Sequence, residues 1–152
     1  INPKKAIENL INALKISKLF NSSKFKFLIA GDYKNKYGYS LIALVKKLEL
    51  SEKVKFVGHV VGANKSYLYA ESYFTFMPSH NENFGNVVVE SLCQGTPVVA
   101  SIGTPWKVLE DYNAGYWINN SPENIAKKIG YDNYFNSIII LFTRGNFYSN
   151  NA

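Results

Sequence analysis

A chain of 152 residues can form one domain with its own core, and an apolar fraction of 47% sets it apart from disordered sequences. No apolar run approaches the length of a membrane span, and Lys4 and Lys5 lead into an amphipathic pattern, not the apolar block of a signal peptide. The net charge of +6 is almost wholly lysine, with Arg144 the only arginine. Readers of base edges favour arginine forks, so these scattered lysines argue against a nucleic-acid partner and for a solvated surface, a phosphorylated ligand or an anionic membrane.

Asn2 and Pro3 suit an N-cap and a first helical position. Ile7, Leu10, Ile11 and Leu14 then recur at helical spacing, which predicts a helix to about Phe20. Lys24 to Ala30 reads as a strand ended by Gly31-Asp32. Leu41, Leu44, Val45 and Leu48 mark a second amphipathic helix. Val54 to Val57 is a short strand ended by Gly58, residues 64 to 71 a short helix, and Tyr73 to Met77 another strand. A helix from Gly85 to about Gln94 and a strand from Pro97 to Ala100 follow. Pro105 to Tyr112 reads as a helix and Gly115 to Ile118 as a strand, and Ser121-Pro122 open a last helix through Ile129.

Short apolar strands alternating with helices predict an α/β fold, a Rossmann-like parallel sheet with helices on both faces, over residues 1–129. Ligands in such sheets sit beyond the carboxyl ends of the strands. The loops at Gly31, Gly58 and Ser79 to Gly85 all leave carboxyl ends and are expected to converge on one crevice. Residues 130–152 stand apart as an atypical tail, with an apolar run from Ile138 to Phe142, then Arg144-Gly145-Asn146 and a polar end.

The most informative stretch runs from Phe74 to Val99. A strand ends in a loop carrying Glu82, the chain turns at Phe84-Gly85 into a helix carrying Glu90, and an apolar strand follows. Amides at a helix start beside a flexible glycine can seat a phosphate. Two carboxylates eight positions apart can accept hydrogen bonds from hydroxyls. Phosphate plus polyol points to a nucleotide-sugar. Glu90, inside an apolar helix, would be costly to bury unpaired and calls for a ligand or partner unless it lies at the surface. Lys5, in a predicted first turn, is oddly placed for a structural cation, though a solvated lysine also fits. Glu82 also fits a solvated loop, and His80 reads as a solvated loop histidine. His59 either lines a base crevice or packs at a strand end. Trp106 and Trp117 read as packing residues. The single cysteine, Cys93, reads as a small core hydrophobe and fits a reducing, cytoplasmic setting. His59 and His80 lack ligand spacing, so no metal is expected.

The order of motifs runs from Lys5 through Ile29-Ala30-Gly31-Asp32, Val54 to Gly58, Pro78-Ser79, then Glu82, Phe84-Gly85 and Glu90, to Gly95-Thr96-Pro97-Val98-Val99-Ala100-Ser101. It resembles the C-terminal, donor-binding domain of the retaining glycosyltransferases of family 4, the group 1 transferases of GT-B architecture. The resemblance implies that Glu82 binds donor-sugar hydroxyls and that Glu90 holds the ribose hydroxyls. It implies that the amides of Asn86 and Val87 meet the diphosphate, that Gly85, beside Phe84, allows the backbone close, and that Lys5 neutralises the charge. Gly58 to Val61, with His59, would line the base, and Gly31 the other side of that crevice. The family has arginine five residues before that lysine, a position immediately before Ile1. It has glycine where this chain has Ala6, Tyr33 and Asn83.

The activity implied is transfer of a sugar from a nucleotide diphosphate sugar to a glycan or lipid-linked acceptor, without metal or cofactor, in bacterial surface polysaccharide synthesis. The acceptor would be bound by an N-terminal domain that this stretch does not include, in a full-length protein associated peripherally with the inner face of the membrane. On this reading the chain is a fragment, inactive by itself. The alternative is a non-catalytic nucleotide-binding or interaction module.

Overall fold

Alternation along the strands sorts the apolar side chains onto two faces of one sheet. A computed structural model describes residues 1–129 and the backbone of residues 138–142. A 3-10 turn (Pro3–Lys5) leads into α1 (Ile7–Ile16), α2 (Lys18–Ser22), β1 (Lys26–Ala30), α3 (Lys36–Lys47), β2 (Val54–Gly58) and α4 (Gly62–Ala70). Then come β3 (Ser72–Met77), α5 (Asn86–Leu92), β4 (Val98–Ser101), α6 (Val108–Asp111), β5 (Gly115–Ile118), α7 (Pro122–Ile129) and β6 (Ile138–Phe142). The strands pair in parallel, in the order β2-β1-β6-β3-β4-β5.

Phe27 and Ile29 of β1, Phe74 and Phe76 of β3 and Val99 of β4 pack on one face. There they meet Ile7, Leu10 and Leu14 of α1, Leu41 and Val45 of α3, and Ile125 and Ile129 of α7. The alternate residues face the other way: Met77, Val98 and Ala100 meet Val88 of α5 and Leu109, and Ala30 meets Tyr69 and Val87. Fully burying a side chain of this size contributes about 1.5–3 kcal/mol, so these two layers hold the sheet. The fold is the expected α/β, Rossmann-like parallel sheet with helices around it.

The N-terminal segment departs from the expected single helix. Ala6 takes a left-handed conformation (φ 48°, ψ 40°) after Lys5, and Ser17 is extended (φ −68°, ψ 109°) before α2. The Ser17 hydroxyl accepts from the Phe20 amide at 3.2 Å and caps the second piece. A left-handed non-glycine residue costs about 1–2 kcal/mol; complete burial of Ala6 holds it there. Lys5 is therefore not in the first turn of α1 but on a separate turn ahead of it. The helix after Gly85 is also shorter than expected. It ends at Leu92, and Cys93 lies at its C-cap, exposed to solvent and not in the core.

The apolar run that had no assigned place is the central strand. β6 pairs with β1 from Lys26↔Ile138 to Ala30↔Phe142 and with β3 at Ser72↔Ile138, Phe74↔Ile139 and Thr75↔Ile140. An apolar run without alternation is what a parallel strand covered on both faces calls for. The sheet thus extends past residue 129, and its two parts, β2-β1 and β3-β4-β5, meet through β6. Arg144-Gly145-Asn146 lies outside the described residues. Among the described residues no helix is long and apolar enough to cross a membrane.

Candidate functional site

Loops leaving the carboxyl ends of β1, β2 and β3 come together. The Gly31 amide donates to the Gly58 carbonyl at 2.6 Å. Both glycines have positive φ, 129° and 73°. Ala30, one residue before Gly31, packs with Val87 of α5 and with Val60 beyond β2. From the other side, the His80 amide donates to the Lys4 carbonyl at 2.8 Å. The Lys5 ammonium pairs with Glu82 Oε2, and the two side chains are only 18% and 25% exposed. Lys5, Gly31, Gly58, Glu82 and the start of α5 therefore lie at one end of the sheet.

The turn into α5 requires glycine twice over. Gly85 has φ 79°, and a Cβ there would lie 2.5 Å from Met77 Sδ and 3.3 Å from Glu82 Cγ. The Glu82 amide donates to the Gly103 carbonyl at 3.1 Å, which braces the loop on the turn after β4. The Trp106 indole N–H donates to the Phe84 carbonyl, and the two rings lie 5.1 Å apart. Phe84 itself is 52% exposed. Val88 is the first amide of α5 to reach an acceptor, the Gly85 carbonyl at 2.9 Å. Among the described residues the Asn86 and Val87 amides have none. With only seven residues in α5, its summed dipole is modest. An anion here would depend on those N–H groups and on Lys5.

Glu90 has the partners that its setting demanded. Lys65 Nζ lies 2.6 Å from Glu90 Oε2, and the Tyr69 hydroxyl donates to the same oxygen at 3.0 Å. Burial, then the Glu90 charge, pushes the Tyr69 phenol well above its ordinary range, so it remains a donor. Sequence reasoning missed both residues. Their one-turn spacing on α4 puts them on the same side of that helix, but no local pattern connects them to a carboxylate in a different helix. Trp106 was read as packing; its N–H also fixes the motif loop.

The remaining candidates are more peripheral. His59 is exposed at the end of β2. His80 Nδ1 lies 3.2 Å from Asn120 Nδ2, which also donates to the Pro78 carbonyl at 2.8 Å. Trp117 Nε1 donates to the Thr104 carbonyl at 3.0 Å. Among the described residues no three His, Cys, Asp or Glu side chains gather as a metal site would require.

The family model for glycosyl transferases group 1 matches residues 1–131. The chain belongs to this family. A glycosyltransferase of Methanocaldococcus jannaschii is 33% identical over 129 residues, 80% of this chain and 31% of the relative. The O-antigen chain mannosyltransferase RfbU of Salmonella typhimurium is 31% identical over 94 residues, 62% of this chain and 26% of that enzyme. Among solved structures, Anabaena HepE in complex with UDP and glucose superposes with a TM-score of 0.73 at 26% identity, covering 85% of this chain and 35% of that one. The chain thus spans about a third of the length of such relatives. The C-terminal domain of a group 1 glycosyl transferase, LpcC, from Francisella tularensis has a TM-score of 0.72 at 22% identity, covering 85% of this chain and 69% of that one, and shares the fold.

Proposed function

We propose that this chain is the C-terminal, donor-binding half of a retaining, family 4 glycosyltransferase of GT-B architecture, and that it holds a nucleotide diphosphate sugar at the carboxyl ends of β1, β2 and β3. The observation that carries the reading is the pair of lysine–glutamate contacts, Lys5 with Glu82 and Lys65 with Glu90, set on either side of the Gly85 turn. Each carboxylate is held by a cation and can still accept from sugar hydroxyls. Between them lie the Asn86 and Val87 amides, which have no acceptor among the described residues. A sugar, a diphosphate and a ribose, in that order, match a carboxylate, a set of N–H donors with a lysine, and a second carboxylate. Similarity to a protein solved with UDP and glucose supports this reading.

The chemistry follows from the charge that develops. Breaking the bond between the anomeric carbon and the diphosphate leaves negative charge on the departing oxygen. The Asn86 and Val87 amides, already in place, and the Lys5 ammonium, once it turns to the phosphate, stabilise that charge, and one well-aimed donor in such a site is worth on the order of 3 kcal/mol. Donor binding draws Lys5 from Glu82 towards phosphate and releases Glu82 to the sugar hydroxyls. The departing phosphate then takes the acceptor's proton on the face that it leaves. No metal or cofactor is needed in this scheme. The acceptor, a glycan or a lipid-linked sugar, meets the donor from an N-terminal domain outside this stretch, so the chain alone transfers nothing. Surface polysaccharide synthesis in a bacterium, at the inner face of the membrane, is the role that we infer for the whole enzyme.

Calorimetric titration of the 152-residue chain with UDP, GDP and ADP tests the site. We expect weak binding of one of them and its loss in Glu90→Ala. Equal binding by wild type and variant would refute the assignment.

A further inference from the structure

We infer that Lys65 and Tyr69 are positioning residues that orient the Glu90 carboxylate for a ribose carrying both hydroxyls, and that α4 thereby sets the preference for ribonucleotides over deoxyribonucleotides. The inference rests on the ribose-binding reading of Glu90. Both contacts fall on one oxygen: Lys65 Nζ at 2.6 Å and the Tyr69 hydroxyl at 3.0 Å meet Oε2. A carboxylate oxygen has two lone pairs in its plane, so Oε2 is satisfied by these two donors. Oε1 accepts from no group among the described residues. The carboxylate is thus held at one corner and open at the other.

The frame behind it is rigid and shared. The Thr96 hydroxyl donates to the Tyr69 carbonyl at 2.6 Å, and the Thr96 amide donates to the Ser91 carbonyl at 3.1 Å. The Ser91 hydroxyl donates to the Thr96 carbonyl at 2.9 Å and lies 2.8 Å from the Thr75 hydroxyl. Tyr69 and the residue after Glu90 are therefore fixed to the same threonine, and these four side chains are all buried. A buried network with its donors and acceptors matched specifies one geometry. Lys65 is the adjustable member, since its side chain is 29% exposed.

A group acting through Glu90 must change recognition of the hydroxyls that Glu90 binds and leave the rest of the ligand alone. The test measures Kd for whichever of UDP, GDP and ADP binds best, and for its 2′-deoxy form, in wild type, Lys65→Met, Tyr69→Phe and Glu90→Gln. Wild type is expected to favour the ribonucleotide by tenfold or more. Lys65→Met and Tyr69→Phe should each narrow that ratio severalfold with the deoxynucleotide affinity nearly constant, and Glu90→Gln should abolish it. Discrimination that survives in Glu90→Gln, or absence of binding to all three nucleotides, would refute the ribose reading itself. A wild-type ratio in both Lys65→Met and Tyr69→Phe, with Glu90→Gln lacking it, would overturn the positioning role alone. So would an equal loss for both nucleotides in Lys65→Met, which would mean that the ammonium binds phosphate directly. A thermal melt of each variant separates these outcomes from unfolding, and Lys65, the more exposed of the two, serves if Tyr69→Phe fails to fold.

Discussion

The two parts of the sheet bring different things to the candidate site. The part made of β1 and β2 contributes backbone, the Gly31 and Gly58 turns joined by one hydrogen bond. The part made of β3, β4 and β5 contributes charge and donors, namely Glu82, the first amides of α5, and Glu90. Lys5, on the 3-10 turn before α1, reaches Glu82 in the second part. The two parts meet in the sheet through β6, which supplies none of the candidate residues. The arrangement of the site thus depends on a strand that carries none of its named residues.

Removing that strand gives the largest expected effect. Deletion of residues 130–152 leaves β1 and β3 without their central partner. The truncated chain is expected to lose its cooperative thermal transition, followed by circular dichroism, together with any nucleotide binding. An unchanged melting temperature would mean that the helices alone hold the two parts in register. Next comes Glu90→Ala. Hydrogen bonds to charged groups are worth about 1.5–3 kcal/mol, so nucleotide affinity should fall by roughly 10- to 150-fold in a calorimetric titration. Lys5→Met should act on the other component of the ligand. It is expected to weaken a nucleoside diphosphate about tenfold and to leave the bare nucleoside unchanged; equal loss for both would make Lys5 a fold residue.

Smaller effects test the braces. Trp106→Phe keeps the ring against Phe84 and removes the N–H donor to its carbonyl. It should cost about 1 kcal/mol in a denaturant titration, and more affinity for a diphosphate than for a nucleoside. The smallest effect on stability at neutral pH is that of the phenols' ionisation. Burial first, with Glu8 and Glu90 respectively, raises Tyr37 and Tyr69 above the ordinary value of 10.0. In the unfolded chain they ionise near pH 10, while in the folded one they keep their protons. Their contribution to stability is therefore complete below pH 10 and declines above it. Tyr37→Phe and Tyr69→Phe should each flatten that alkaline decline in a pH series of melts.

Much of this was legible in the sequence. The β strands near Ile29, Val57, Phe76 and Val99 were read within a residue or two, because each is short, apolar and closed by a glycine or a polar turn. The expectation that the loops at Gly31, Gly58 and Ser79 to Gly85 converge followed from the rule that such sheets bind at their carboxyl ends; Lys5 was singled out by the family resemblance. Three things were not legible. The break at Ala6 was hidden because alanine is a strong helix former; its left-handed conformation goes with complete burial, which local propensity does not report. The place of Ile138 to Phe142 was hidden because strand order in a parallel sheet is set by long-range packing and not by chain order. The hold of Lys65 and Tyr69 on Glu90 was hidden because it joins two helices, although the need of Glu90 for a partner was plain from the apolar residues around it.

An amide-correlation NMR titration of the full chain with UDP, followed by GDP and ADP, tests the central claim most directly. The account predicts that one of them moves the signals of Gly31, Gly58, Gly85, Asn86 and Val87 together, with a single dissociation constant, while the edge strand β5 stays still. Saturable shifts elsewhere with those five amides unmoved, or no shifts with any nucleotide, would contradict it.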